Sequence, residues 1–166
     1  MKCLPQNQLN LSEGVYKVAS SATAFREGDT LLAKITPCLE NGKTGLVLDL
    51  KGEELARGST EFIVMRARTE GSICFSYCLA RDSKFRDYAI RSMSGSSGRQ
   101  RVPLDRVKSY SIIDSSELIK KFEIVASSSF QKIKSNAQQI KTLTHLRDTL
   151  LPKLMKGEIR IRKEEF

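Results

Sequence analysis

Apolar and polar positions divide the chain into short runs and one long one. TLLAKIT (30–36) is a compact apolar run closed by Pro37, and KTGLVLDL (43–50) alternates on its way back. Between them lies Glu40-Asn41-Gly42-Lys43. Asn-Gly tolerates positive φ and is the strongest short hairpin signal, so the two runs are expected to pair across that turn. EFIVMRAR (61–68) reads as another strand, with Phe62 and Val64 on one face and Ile63 and Met65 on the other. VYKVA (15–19) is strand-like, Glu27-Gly28-Asp29 is a turn, and Lys51-Gly52 and Arg57-Gly58-Ser59 bracket a loop. Residues 71–93 are expected to be helical, with Ile73, Tyr77, Leu79 and Ala80 on the apolar face and a break near Ser83 that divides two helices. SGSSGRQRV (94–102) is a Gly/Ser loop, and residues 102–114 predict a short turn and a last strand.

The pattern then changes. From Ser115 onward neither Gly nor Pro occurs before Pro152, and Ser116-Glu117 suits a helix start with an acidic first turn. Phe122, Ala126, Ser129, Ile133, Asn136, Ile140, Leu143, Arg147, Leu150 and Leu154 succeed one another at alternating steps of four and three, which is a coiled-coil seam. Its polar members, Ser129, Asn136 and Arg147, cost stability but fix register and partner orientation. About forty helical residues span roughly 60 Å. A domain of about 110 residues has a radius of gyration near 13 Å. A helix of that length needs a partner. Pro152 bends or ends it, and Gly157 breaks any helix that continues past the proline.

These elements predict an α+β chain: a small mixed-sheet domain over 1–114, a coiled-coil helix over 115–155 and a basic tail over 156–166. Charge narrows the partner. The 166 residues carry a formal net charge of +9. Eight basic residues face three acids within 81–108, and eleven face six within 115–166. Such concentration points to an anionic partner such as nucleic acid. The chain has no secretory start and no run that approaches a membrane span, so a cytoplasmic location with free thiols is expected for Cys3, Cys38, Cys74 and Cys78.

Enzyme chemistry finds little support. Gly42-Lys43-Thr44 lacks the first glycine of a phosphate-cradling loop, since Pro37 stands there, and a strand comes next instead of a helix. Cys74 and Cys78 share a helical face, but no spacing supplies two further zinc ligands, and they read as small buried side chains. His145 and Asp148 lie a helical turn apart without a framed pocket. No catalytic residue, metal or cofactor is expected.

GDTLLAKITPCLENGKTGLV, GSTEFIVMRAR, SGSSGRQRV and LRDTLLPKLMKGEIRI occur in that order across 28–161. Together they resemble the specificity subunit of type I restriction–modification systems, and in particular its C-terminal half: one target recognition domain and the long helix after it. The resemblance implies a non-catalytic subunit that reads half of a split site on double-stranded DNA. It implies partners as well: methyltransferase (modification) subunits and restriction subunits. The helix would pair antiparallel, with a second copy or with another half-subunit. The stretch before Thr30 is shorter than that family's usual lead-in, which reads as a truncated start. The alternative is a remnant that keeps only its coiled coil as an interaction module.

Expected DNA contacts are Asn41, Lys43, Arg57, Arg99, Gln100 and Arg101. Arginine takes phosphate, or guanine O6 and N7 bidentately, and glutamine pairs with adenine. Lys43 suits a phosphate, while Asn41 either stabilises its turn or reads a base edge. Expected helix contacts are Phe122, Ile133, Asn136, Ile140, Leu143, Arg147, Leu150 and Leu154. Residues 151–161 extend the helix as a frayed basic tail or, by the resemblance, as a contact with partner subunits.

Overall fold

A computed structural model of the chain describes residues 4–6, 9, 11, 22–48, 50, 54–68, 72–112 and 115–159. The strand expected at 15–19, the Lys51-Gly52 turn and the last seven residues of the tail lie outside them. Among the described residues five strands come first: β1 (Thr23–Phe25), β2 (Thr30–Ala33), β3 (Thr44–Leu46), β4 (Ala56–Gly58) and β5 (Phe62–Met65). Four helices come after them: α1 (Ile73–Arg81), α2 (Ser83–Arg91), α3 (Leu104–Lys108) and α4 (Ser116–Met155). The fold is α+β. β2 lies between β3 and β5, β1 pairs with β4, and each of these pairings is antiparallel.

The three-stranded sheet explains why β2 is apolar without alternation. It carries a core on each face, so every residue of β2 is buried. Leu31 and Ala33 join Phe25, Val47 and Phe62 on one side, with Val64 packed against them. Leu32 and Ile63 join Leu39, Phe85, Ala89 and Val102 on the other, with Met65 against them. The two faces expected for Phe62/Val64 and Ile63/Met65 are those observed.

The break between α1 and α2 falls at Asp82, whose extended backbone (φ −61°, ψ 135°) ends one helix while its side chain accepts the Phe85 N–H of the next at 2.9 Å. This is the divide expected near Ser83. α1 has no single apolar face. It buries Cys74 and Ala80 while the rest of the helix is half-covered, because it packs against β2, β3 and α2 and also meets α4.

Three expectations are corrected. Arg57-Gly58, expected with Ser59 to close a loop, instead belong to β4 (Ala56–Gly58) against β1, an alignment set by the partner strand because three residues carry too little periodicity to show it. The last strand expected within 102–114 is absent from the described part of that segment, where α3 forms instead. Pro103 takes the extended N-cap, Asp105 lies in the first turn and Arg106 and Lys108 lie in the last, an order that suits the helix dipole. Pro152 does not end α4, which runs on to Met155. It ends at Gly157 (φ 72°), where Gly157 N–H reaches the Leu154 carbonyl and Glu158 N–H the Lys153 carbonyl, a Schellman closure.

The described residues fall into two compact units, one up to Phe130 and one from Gln131. In the first, the start of α4 is fastened to α1. The Glu123 carboxylate accepts Cys74 N–H at 2.9 Å and Phe75 N–H at 3.2 Å. Ser72, the residue before α1, makes no side-chain cap bond, so a distant glutamate satisfies donors that a local cap normally takes. Phe122 meets Phe75 edge-on at 6.2 Å, and Phe130 meets Tyr77 at 5.7 Å. In the second unit, Ile133, Ile140, Leu143 and Leu150 are exposed along α4.

Candidate nucleic-acid interface

The Glu40–Lys43 stretch is not the tip of a two-residue hairpin. β2 and β3 do pair, but residues 34–43 connect them, and the chain between Ile35 and Lys43 is wound like a helical turn. Leu39 N–H reaches the Ile35 carbonyl and Asn41 N–H the Pro37 carbonyl. Gly42 (φ 64°) closes the turn by bonding to Leu39, while Lys43 N–H bonds to Cys38. This is the same Schellman closure that ends α4. The Asn-Gly signal was right about positive φ and wrong about loop length, because both motifs use glycine in the left-handed region. Asn41 stands exposed at this turn, and Lys43 is half-buried beside it.

Two arginines that no sequence motif singles out lie against the turn, and one of them bonds to it. Arg81 Nη1 donates to the Gly42 carbonyl at 2.9 Å and also to the Gln6 carbonyl. Arg86 Nη1 lies 2.6 Å from where a Cβ on Gly42 would stand. The signal in the sequence was only their five-residue spacing on neighbouring helices, which names no target.

The Gly/Ser loop is anchored on the stretch that enters this turn. Thr36 N–H donates to the Gln100 carbonyl at 3.0 Å, and Val102 N–H donates to the Lys34 carbonyl at 2.9 Å. Arg101 bridges Ile35 on one side and Ser94 on the other. Two segments distant in the chain are thus brought together: the basic loop and the lead into the wound turn. Arg99 is exposed and Gln100 half-buried. Arg57 belongs to a separate place, on β4 opposite Ala24, where its Nη1 donates to the Ala22 carbonyl at 3.5 Å.

Arg101 is engaged. Its Nε and Nη2 donate to the Glu61 carboxylate at 2.8–3.0 Å, and its Nη1 donates to the Arg99 carbonyl at 3.1 Å. The hydrogen bond from Arg101 holds the Glu61 carboxyl below its ordinary range, and the same bond raises the Arg101 guanidinium above its own. A second fork is structural. Arg66 grips the buried Asp29 carboxylate through Nε and Nη2 at 2.7 Å each, and Asp29 also accepts Arg26 N–H, which closes the turn before β2.

Cys74 is buried beside Glu123, and burial, followed by the hydrogen bond to that carboxylate, pushes its thiol up to about 12. A thiol held neutral is a poor metal ligand and a poor nucleophile. Because the folded value lies above the unfolded one, the protonated thiol favours the fold fully below about pH 8.5 and progressively less toward pH 12. Alkylation with iodoacetamide at pH 8.5 is therefore expected to leave Cys74 unmodified in native protein and to modify it fully in urea. Peptide mass mapping reads this directly. Native labelling of Cys74 at the denatured rate would contradict the burial.

On α4, Ile140 and Leu143 are each 64 % exposed, Asn136 is exposed and Leu154 is half-buried. Arg147 pairs with the adjacent Asp148 at 2.7 Å. Phe122 stands apart from the rest of the seam because its ring is already against Phe75. No described helix is long and apolar enough to cross a membrane.

No protein-family model matches the chain. Curated proteins do. The EcoEI specificity subunit of a type I restriction enzyme from Escherichia coli is 34 % identical over 97 residues, which is 58 % of this chain and 16 % of that protein. The EcoAI specificity subunit from the same species is 36 % identical over 88 residues, 52 % of this chain and 15 % of that one. The MjaIX specificity subunit of Methanocaldococcus jannaschii is 34 % identical over 87 residues, 52 % of this chain and 20 % of that one. The match covers at most a fifth of each relative's length. Over about half of its own length, this α+β chain with its long C-terminal helix is similar to the specificity subunits of type I restriction enzymes.

Proposed function

We propose that the chain is a sequence-reading, non-catalytic half-subunit of a type I restriction–modification complex that recognises double-stranded DNA. The observation that carries this reading is its similarity to three such specificity subunits. The anchored basic loop at 94–102 beside the wound turn at 35–43 supports it. Arg99, Lys43 and Arg57 supply phosphate contacts that fix register, and Gln100, Arg101 and Asn41 supply base contacts. Modification and restriction subunits carry the chemistry, in the cytoplasm where the DNA is. The apolar stripe of α4 pairs with a second long helix of the same kind, from another copy or another half-subunit. The same stripe is what favours the competing reading, an interaction module without DNA binding.

Fluorescence anisotropy with a random-sequence duplex across a salt series separates the two. Arg99 is the residue to vary because its side chain is exposed and takes no part in the Glu61 fork that engages Arg101. Wild-type affinity is expected to fall steeply with salt. Arg99→Ala is expected to flatten the logarithmic slope by about 0.9, the contribution of one phosphate contact on duplex DNA. Absence of binding at low salt, with the modification subunit present, would leave the interaction module standing.

A further inference from the structure

Arg101 is the most firmly placed side chain of the basic loop, and what places it is an acid. Its backbone is fixed by Ser94 on one side and Ile35 on the other. Its side-on edge, Nε with Nη2, is occupied by Glu61 at 2.8–3.0 Å. Glu61 is itself fixed. Its N–H donates to Ser59 Oγ at 3.1 Å, its carbonyl accepts Lys34 N–H at 3.0 Å, and its side chain is only 24 % exposed.

A surface carboxylate facing a DNA partner lowers affinity, so a merely electrostatic view counts Glu61 as a cost. Donor counting gives it a use. Guanidinium carries five N–H groups in a rigid plane. Glu61 takes Nε–H and one N–H of Nη2, and the Arg99 carbonyl takes one from Nη1. One N–H remains on each terminal nitrogen. Where the Arg99 carbonyl takes the Nη1 N–H that points away from Nη2, the remaining pair is the parallel end-on fork that a guanine O6/N7 edge accepts bidentately. The Arg101 side chain is 45 % exposed, so a base edge can reach it. A free arginine must give up rotamer entropy to present such a fork, whereas this one is ordered before DNA arrives.

We propose that Glu61 is a positioning residue for DNA readout: by fixing the side-on edge of Arg101, it presents that arginine's terminal edge to a guanine. The proposal rests on the DNA-recognition reading above and adds to it the base read by Arg101 and the residue that sets its specificity.

The test selects from a pool of duplexes with a randomised centre, using the full chain as wild type, Glu61→Gln, Glu61→Ala and Arg101→Ala, and sequencing the bound fractions. Affinity for a random-sequence duplex and the thermal midpoint are measured in parallel. Wild type is expected to select guanine at a position where Arg101→Ala does not, with preference falling roughly 5- to 150-fold. Glu61→Gln and Glu61→Ala are expected to weaken guanine at that same position and leave other positions intact. Their affinity for random duplex should stay level or rise, since a negative charge is gone. The proposal is overturned if the Glu61 variants change affinity or thermal midpoint while base preference stays wild-type, because Glu61 then acts on charge or on the fold alone. It is also overturned if Arg101→Ala keeps the guanine. A wild-type chain that binds no duplex at any salt sinks the DNA-recognition reading itself, and that result is distinct from the other two.

Discussion

Ile140→Asp together with Leu143→Asp is expected to abolish assembly through the long helix. Both side chains are 64 % exposed on α4, at neighbouring positions along a seam of threes and fours. Burying an Ile or Leu side chain stabilises by about 1.5–3 kcal/mol, and a pair of helices would lose four. The sum, roughly 6–12 kcal/mol, exceeds a 10⁴-fold change in dissociation constant even at its lower end. The buried carboxylates would add to it. Sedimentation velocity of wild type and double variant at the same concentration reads the outcome. Wild type should sediment as an assembly and the variant as a single chain, with unchanged melting of the first unit. An unchanged assembly would place the contact on another face of α4.

Phe85→Ala is expected to cost the first unit about 3–5 kcal/mol, the range for truncating a buried phenylalanine. Domains of this size have about 5–15 kcal/mol in all. Phe85 is 2 % exposed and lies in one cluster with Leu32 of β2, Leu39 of the wound turn and Val102 of the basic loop. Tyr110 meets its ring edge-on at 5.0 Å. A cavity there withdraws support from both candidate DNA-facing segments, since Val102 is the neighbour of Arg101. Urea unfolding should show the lost stability, and base selection should blur before the fold is lost. Leu55→Ala, at a position 65 % exposed, is the comparison and should stay within about 0.5 kcal/mol. A loss below about 1 kcal/mol for Phe85→Ala would mean that the site collapses around the deletion.

The parts of the fold that read well from sequence were those where period and burial agree. β5 alternates between two cores, so Phe62 and Ile63 point to opposite faces as their positions imply. α4 is long and carries no glycine, so its start at Ser116 and its end at Met155 lie close to the signals at Ser115 and Gly157. The elements that escaped depended on partners distant in the chain. β4 exists because β1 lies beside it, and Glu123 caps a helix 49 residues earlier. Propensity is local and could announce neither. α3 escaped for another reason: Val-Pro-Leu-Asp-Arg-Val fits a short helix and a turn leading into a strand about equally, and tertiary packing decides. In the candidate site, residue types were legible and their commitments were not. Arg99, Gln100 and Arg101 look alike in the sequence, yet Arg101 is gripped by Glu61 and Gln100 is pinned through its carbonyl to Thr36, while the Arg99 side chain stands exposed.

The wound turn has a consequence for how such a chain can change. Gly42 is held by its left-handed backbone and by Arg81 on its carbonyl, with the Arg86 guanidinium lying close beside it. Leu39, fully buried, is held just as firmly. Between them Glu40 and Asn41 face solvent, with no part in either core. Mutation can therefore exchange the chemistry of the tip, acid for base or amide for hydroxyl, while the mounting beneath it stays the same. The turn works as an interchangeable bit in a fixed chuck, and its exposed tip can be varied without putting the fold at risk.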